Sequence, residues 1–479
     1  MTPLGSGGSG AAAGTVRLRR ALTLWDLIVY GIIVTSVTAP MNFFGILTQR
    51  GNGHATTAIL LAMIAMILTA VSYGRMARVY PSAGSSFTFV GKEIGPAVGY
   101  VAGWSMLLDY ILNPMVNVIF CSQQLHVLVP STPYWLWAAC FAVAFTVLNL
   151  RGVKASARLY ARLVAGMGVV IAVFFVAAAY YVLQHPHDVS GFFTHPLYDP
   201  QRWHWPGILS GTSLAVFAYV GFDGISTLSE EAKKPRDVLP ATIITCIAIG
   251  LLSAFEVYAA QLVWPVAEHF PDLDTAFTSV AGRAWAPLGI IVAGTVIVAC
   301  AAGGMGMQVS AARLLYGMGR AGALPTAFFG ALEPKRHIPR NNVILVGVVA
   351  LAGALALPQI AGESTGFDLG ASLLNFGALL GFMGVNAAAF MHFFWRSERK
   401  SVVEFVPPAL GFVVCFLLWW NVSGQSRILG AVWIGIGIAF GAWKTRGFRT
   451  TIDKFEVPPD LLVEASHRPQ LKLGPGSVP

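Results

Sequence analysis

Charge is scarce in this chain. Only 11% of its 479 residues are Asp, Glu, Lys or Arg, and 56% are hydrophobic. A soluble domain carries about 25% charged residues, and a chain this apolar would present large sticky patches to water. An ordinary soluble domain is therefore excluded. The net charge of +9 matters less by its sign than by where the charges sit, and no nucleic-acid partner is expected. Cysteine is sparse too. Cys121, Cys140, Cys246, Cys300 and Cys415 lie scattered in apolar runs with no CxxC pair, so neither a disulfide framework nor a metal site is expected. There is no GxSxG, no HExxH and no phosphate loop. Gly317, Gly319 and Gly322 fit a GxGxxG spacing, but they follow an apolar helix rather than a strand, so the dinucleotide reading fails and no cofactor is expected. His185, His187, His195 and His204 share one loop without a zinc-like spacing.

What the chain has in abundance is long apolar runs. About twenty such residues cross a bilayer, and that window gives twelve spans, near 24–47, 55–74, 95–120, 132–150, 160–183, 207–229, 240–264, 286–314, 341–358, 368–394, 404–422 and 427–444. The first run is too long for a cleavable signal and no small-residue cleavage site follows it. With the N-terminus in the cytoplasm, 27 of the 31 Lys and Arg residues fall on the inner side, leaving only Arg50, Arg202, Arg283 and Arg427 outside. That bias predicts a multi-pass protein of the inner or plasma membrane with both termini cytoplasmic.

Two spans carry the residues of a broken helix. The first reads YGIIVTSVTAPMNFFG, with Gly31, the hydroxyls of Thr35, Ser36 and Thr38, and Pro40. The sixth reads TSLAVFAYVGFDGIS, with Gly221 and Gly224 around Asp223. Proline removes a backbone donor and glycine permits unwinding. Exposed backbone at membrane depth is tolerated only where it is buried in protein or lines a cavity. Breaks at spans one and six predict an all-α polytopic membrane protein of twelve transmembrane helices: a 5+5 inverted repeat with helices 11–12 appended. The corresponding segments are a flexible lead (1–20), a first repeat (21–185), a second repeat (206–395), the appended helices (404–445) and a cytoplasmic tail (446–479).

Three stretches then carry a resemblance. PSAGSSFTFVGKEIGPAVGYVAGW (81–104), GFDGISTLSEEAKKPRDVLPA (221–241) and AARLLYGMGRAGALP (311–325) resemble signatures of the amino acid–polyamine–organocation permeases. VSYG, GWSMLLDY and LSEE are similar to segments of the bacterial putrescine-importer-like group. The resemblance implies a central site between helices 1, 3, 6, 8 and 10, alternating access, and often proton coupling.

Asp223 leads the candidates. A charge near the bilayer centre costs about 2.5–3.5 kcal/mol on insertion scales, so it must be paired, hydrated or protonated. It reads as a cation contact or proton carrier; the alternative is an acid that caps the second half-helix. Phe217 resembles the family's ring that closes over substrate, with ordinary packing as the alternative, and Tyr219 and Phe222 are lesser candidates. Tyr110 resembles a recognition tyrosine, offering a ring face and a hydroxyl to an ammonium. Neighbouring Asp109 is either an amine partner or a structural acid. Glu230 and Glu231 match the family's acidic end of helix 6, where the resemblance implies acid recognition of a polyamine and makes Glu230 a substrate-binding candidate; the alternative is a salt-bridge lattice with Lys233, Lys234 and Arg236. Glu256 departs from the importer-like pattern and is a second proton-coupling candidate, or a partner for a hydroxyl on helix 1.

One departure points towards amines, and two bear on the coupling ion, against sodium and towards a proton carried by an acid. Amino-acid-transporting relatives carry a Gly-Ser-Gly break in helix 1 that captures a carboxylate, whereas this chain has VTSVTAP, where only Thr35, Ser36 and Thr38 offer hydroxyls. The paired helix-8 hydroxyls of sodium-coupled relatives are missing from ACAAGGMGMQ, and helix 5 has no lysine near Met167. The expected partners are thus a small cationic or zwitterionic solute, a proton and the lipid bilayer. The expected function is proton-coupled uptake of an organic amine, polyamine or amino acid; an amino acid/amine exchanger and a non-transporting nutrient sensor remain as alternatives.

Overall fold

The structure, a computed structural model, describes residues 20–446 apart from 83, 152–156, 186–189, 266–267, 335, 337, 362–365 and 399. Residues 1–19 of the expected lead, 447–479 of the expected tail, and His187 lie outside the described residues. In chain order the α-helices are α1 (Leu24–Thr35), α2 (Phe44–Arg50), α3 (Ala55–Val79), α4 (Ser85–Glu93), α5 (Pro96–Leu128), α6 (Tyr134–Leu150), α7 (Ala157–Gln184), α8 (Trp205–Ala215) and α9 (Gly224–Thr227). Then come α10 (Val238–Val263), α11 (Ala276–Ala284), α12 (Ala286–Arg320), α13 (Thr326–Phe329), α14 (Arg340–Ala361), α15 (Gly366–Phe390), α16 (Val402–Trp420) and α17 (Gly424–Lys444). Among the described residues there is no strand, only one isolated parallel bridge between Leu22 and Ala232.

Ten helical segments are long and apolar enough to cross a membrane, and Tyr134–Leu150 and Trp205–Ala218 are shorter apolar helices. The first falls within the fourth expected span, and the second overlaps the sixth, starting two residues before it. The sixth is short because its helix stops inside the apolar run.

Local chemistry sets the ends. Thr23 and Asp26 cap α1 reciprocally, the Asp26 carboxylate accepting from the Thr23 amide at 2.8 Å. Gly95 at φ 150° turns the chain into Pro96, the first residue of α5. Both expected breaks are present. After α1 the helix breaks at Ser36, which takes a positive φ of 63°, and one 3-10 turn, Ala39–Asn42, precedes α2. After α8 a 3-10 turn over Val216–Ala218 leads to Gly221 at φ 116°, before the single turn of α9.

Packing centres on α5, which lies against α12 and α15, while α3 pairs with α10. Small residues permit these approaches, as expected where helices associate by close contact. A Cβ on Gly74 of α3 would stand 2.5 Å from the Leu239 Cα of α10. Behind the second break, Tyr73 packs edge-on against Phe89, Phe222 and Phe382 with ring centroids 5.7–6.2 Å apart. Large side chains on α7, α16 and α17, among them Val176, Leu183, Val402 and Trp443, are exposed and form the apolar outer surface.

Two polar clasps hold the periphery. Glu93, buried at the end of α4, accepts from Tyr80 at 2.5 Å and from Arg396 at 2.9 Å and pairs with His392 at 2.7 Å, tying α4 to the π-helical turn that ends α15. Burial alone would raise its carboxyl, but the hydrogen bonds from His392 and Tyr80 and the charge of Arg396 hold it below the usual range. On α17, the Trp433 indole donates to the Trp104 carbonyl at 3.0 Å while the Trp104 indole donates to the Trp433 carbonyl at 2.9 Å.

The Gly74 contact gives a direct test. Gly74→Ala is expected to destabilise the detergent-solubilised protein by about 1–3 kcal/mol, read as a lower unfolding temperature. Gly294→Ala, whose Cβ meets nothing within 4 Å, is expected to leave stability unchanged or slightly raised.

Candidate functional site

The second break forms because Gly221 adopts a backbone conformation that side chains rarely reach, and because the freed amide finds a partner. The Gly221 amide donates to Asp223 Oδ1 at 3.2 Å. The carboxylate thus closes the turn that exposes it. Its Oδ2 accepts from the Tyr110 hydroxyl on α5. The Ser226 hydroxyl donates to the Asp223 carbonyl at 2.5 Å and meets the Ser85 hydroxyl of α4 at 2.6 Å.

Asp109 precedes Tyr110 on α5, is fully buried, and has no hydrogen-bond partner on either carboxylate oxygen. Asp109, Tyr110 and Asp223 form one electrostatic group. Among the described residues no Lys or Arg forms an ion pair with Asp109 or Asp223. Two carboxylates away from water and without a cation are stable only if protonated or if a cation arrives. That is the chemistry this arrangement offers.

The first break supplies hydroxyls. Thr35 bonds back to the Gly31 carbonyl at 2.7 Å, so its hydroxyl is occupied, while Ser36 and Thr38 meet each other at 3.1 Å. Phe217, 8% exposed, stands edge-on between Phe43 and Phe367 at 5.7 Å from each, bridging the first break, the second break and α15. Tyr219 turns the other way, donating to the Ile59 carbonyl of α3 at 2.8 Å. Phe222 packs behind the site on Tyr73 and Phe382.

Other candidates lie apart. Glu230 pairs with Arg320 at 2.9 Å and Glu231 with Arg313 at 2.8 Å, fastening the end of the second break to α12. The Glu231 carbonyl also accepts from the amides of Ala21 and Leu22 at 2.9 and 3.0 Å. Glu256 is fully buried with both oxygens unpartnered, so it bonds to no hydroxyl of the first helix. Thr245 of α10 lies opposite Gly31 of α1. Glu256 follows it by about 16 Å along the helix at 1.5 Å per residue.

Tyr30 and Ser310 were not singled out as site residues in the sequence, yet their hydroxyls meet at 2.5 Å, and Ser310 borders Gly224. Ser310 stands one turn beyond a stretch without hydroxyls, and nothing in spacing joins it to Tyr30, 280 positions away. No group of three or more potential metal ligands occurs among the described residues.

With this geometry in view, the comparisons are decisive on kinship. The family model described as "Amino acid permease" matches residues 22–451. The chain belongs to this family. It is a multi-pass membrane permease, and the expectation of a permease rather than an enzyme follows from that membership. The low-affinity putrescine importer PlaP of Escherichia coli K12 is 35% identical over 92% of this chain and 97% of its own length. The branched-chain amino acid permease BcaP of Lactococcus lactis is 27% identical over 88% of this chain and 93% of its own. A crystal structure of the Eremococcus coleocola manganese transporter shares the fold, with TM-score 0.56, 14% identity, and coverage of 90% of this chain and 95% of that one.

The Tyr110–Asp223 contact is testable by itself. Tyr110→Phe is expected to cost about 1–3 kcal/mol of stability in substrate-free protein. In a double-mutant cycle with Asp223→Asn the two losses should fall short of additivity by about 1 kcal/mol, measured by thermal unfolding.

Proposed function

We propose that the permease is a secondary active transporter that couples uptake of an organic amine, putrescine-like polyamine or amino acid to protons by alternating access. The observation that carries this reading is the Asp223 carboxylate: it is fully buried in a helix break, bonded to Tyr110, beside an unpartnered Asp109, with no Lys or Arg among the described residues paired to it. A site of that kind accepts either a proton or an ammonium, and exchanging one for the other is the elementary step of a proton-coupled amine carrier. The likeness to the E. coli putrescine importer supports an amine over a zwitterion, as does the absence of a glycine nest in the first break.

On this reading the chain has twelve spans in a 5+5 inverted repeat, over 21–185 and 206–395, with 404–445 appended. Both termini lie in the cytoplasm and the protein sits in the inner or plasma membrane. Substrate lies among Thr35, Ser36, Thr38, Asp109, Tyr110 and Asp223, beneath the Phe217 ring. Tyr219 and Phe222 hold the break from behind. Glu230 and Glu231 close the cytoplasmic side through Arg320 and Arg313. Glu256 is a second acid for proton passage, at a separate depth.

The test is uptake of labelled putrescine, arginine and alanine into proteoliposomes, with and without an inward-directed proton gradient. Putrescine uptake should rise with the gradient. Asp223→Asn should lower gradient-driven uptake by about tenfold or more, since loss of a charged partner is worth roughly 1.5–3 kcal/mol. No uptake of any solute under either condition would sink the transporter reading, and unchanged gradient-driven uptake in Asp223→Asn would remove Asp223 from the coupling.

A further inference from the structure

A second acidic feature lies at the opposite face of the membrane from the Leu22–Ala232 bridge. Arg50, the last residue of α2, pairs with Asp368 in the first turn of α15 at 2.6 Å and donates to Ser372 at 3.3 Å. Just before α11, residues 272–275 come against α2 beside this pair. The Leu273 backbone lies directly on Gly45 of α2, where even a Cβ would collide with its carbonyl. The loop is held in shape by Asp272, which accepts from the Asp274 amide at 2.9 Å and from the Thr275 hydroxyl at 3.2 Å. This shape drives the Asp274 side chain inward. It is 8% exposed, and its Oδ1 is buried with no hydrogen-bond partner among the described residues.

The charged groups acting on Asp274 are Asp272 on its own loop and Asp368 on α15, and Asp368 is itself paired with Arg50 of α2. Arg283, at the far end of α11, is taken by Glu268 at 2.5 Å and by the Tyr181 hydroxyl at 2.8 Å. Arg50, the cation of this group, is already engaged by Asp368. Asp274 is therefore an acid folded into a closed cap with two other carboxylates near it and no cation of its own.

We propose that Asp274 is a proton site built into this cap: the closed arrangement takes up one proton from water on the Asp274 carboxyl, and lifting the loop off α2 releases it. Acid on this face then favours closure. The inference rests on the alternating-access reading, because it requires this face to open.

The direction follows from the burial. Desolvation first, then the charges of Asp272 and Asp368, push the Asp274 carboxyl up to about 7 in the closed cap. A hydrated aspartate titrates near 3.9. Between those values the closed cap binds a proton that the open one does not, so closure strengthens as pH falls from about 7 towards 4 and levels off below. Above pH 7 the ionised carboxylate opposes closure. In a carrier that imports protons, external acid would close this face behind its cargo.

Opening can be read directly, without substrate. Thr48 lies one turn beyond Gly45 on α2 and is 2% exposed. Thr48→Cys in a Cys140→Ser background, in nanodiscs, would be labelled with a hydrophilic thiol reagent from pH 5 to 8.5. Rates would be divided by those of the exposed Ser190→Cys to remove the thiol's own titration. The corrected rate should be about tenfold lower at pH 5.5 than at pH 8. Asp274→Asn, which keeps the neutral form at every pH, should label slowly and without pH dependence. Asp272→Asn, which keeps an acceptor oxygen for the Asp274 amide and leaves the Thr275 hydroxyl to accept from the new amide, but removes a nearby charge, should move the midpoint to lower pH. A full pH dependence surviving in Asp274→Asn would overturn the proposal, as would an unmoved midpoint in Asp272→Asn. A Thr48→Cys that never reacts at any pH would overturn both the proton site and the opening of this face, whereas labelling that is rapid but flat with pH would overturn the proton site alone.

Discussion

The structure depends on one constraint: a helix that stops inside an apolar interior must find partners for the backbone groups it frees. At the second break the chain meets that demand with its own acid. Asp223 accepts from the amide two residues before it, and this requires Gly221 at a φ of 116°. The carboxylate is therefore part of the backbone's solution as well as a candidate for chemistry. Tyr110 of α5 completes it from outside. The turn, the acid and its tyrosine form one unit, and the aromatic cluster of Tyr73, Phe222 and Phe382 packs behind it.

The Leu22 end and the Arg50 end of the molecule are held together by different means. At the Leu22 end the fastening is a lattice: backbone pairing between Leu22 and Ala232, and the carboxylates of Glu230 and Glu231 held by Arg320 and Arg313. Both glutamates there are paired with arginines of α12 rather than with Lys233, Lys234 or Arg236. At the Arg50 end a ring and a loop do the work. Phe217 wedges between Phe43 and Phe367, and the loop carrying Leu273 lies over Gly45. Its polar group is unbalanced: Arg50 pairs with Asp368, while Asp274 beside them has no cation of its own. The asymmetry suits a carrier whose two sides meet different solutions.

Much of this was legible in the sequence. Apolar runs gave the helices, and paired glycines around an acid gave the second break, because unwinding leaves local residue signatures. The prominence of Asp109, Tyr110 and Asp223 was also legible, since acids are costly at such depth. Their partnership was not, because 113 positions separate Tyr110 from Asp223 and no periodicity links them. For the same reason the Tyr30–Ser310 contact was invisible, and Glu230 was readable only as one of several acids near basic residues. The separation of Glu256 from the central group depends on its height along α10, which apolar windows do not measure. The cap on the Arg50 face was missed because Asp272 and Asp274 lie in an ordinary polar loop and gain their character only when Asp368 closes against them.

The reciprocal indole clasp between Trp104 and Trp433 has a mechanical meaning. Each ring donates to the other residue's carbonyl, so α17 can neither slide nor turn against α5 without losing both bonds. Trp104 stands six residues before Tyr110, about 9 Å along the same rigid helix. α17 itself is an outer helix with Ile428, Val432 and Trp443 facing outward. The clasp therefore fixes the position of this outer helix to the helix whose tyrosine hydroxyl holds Asp223.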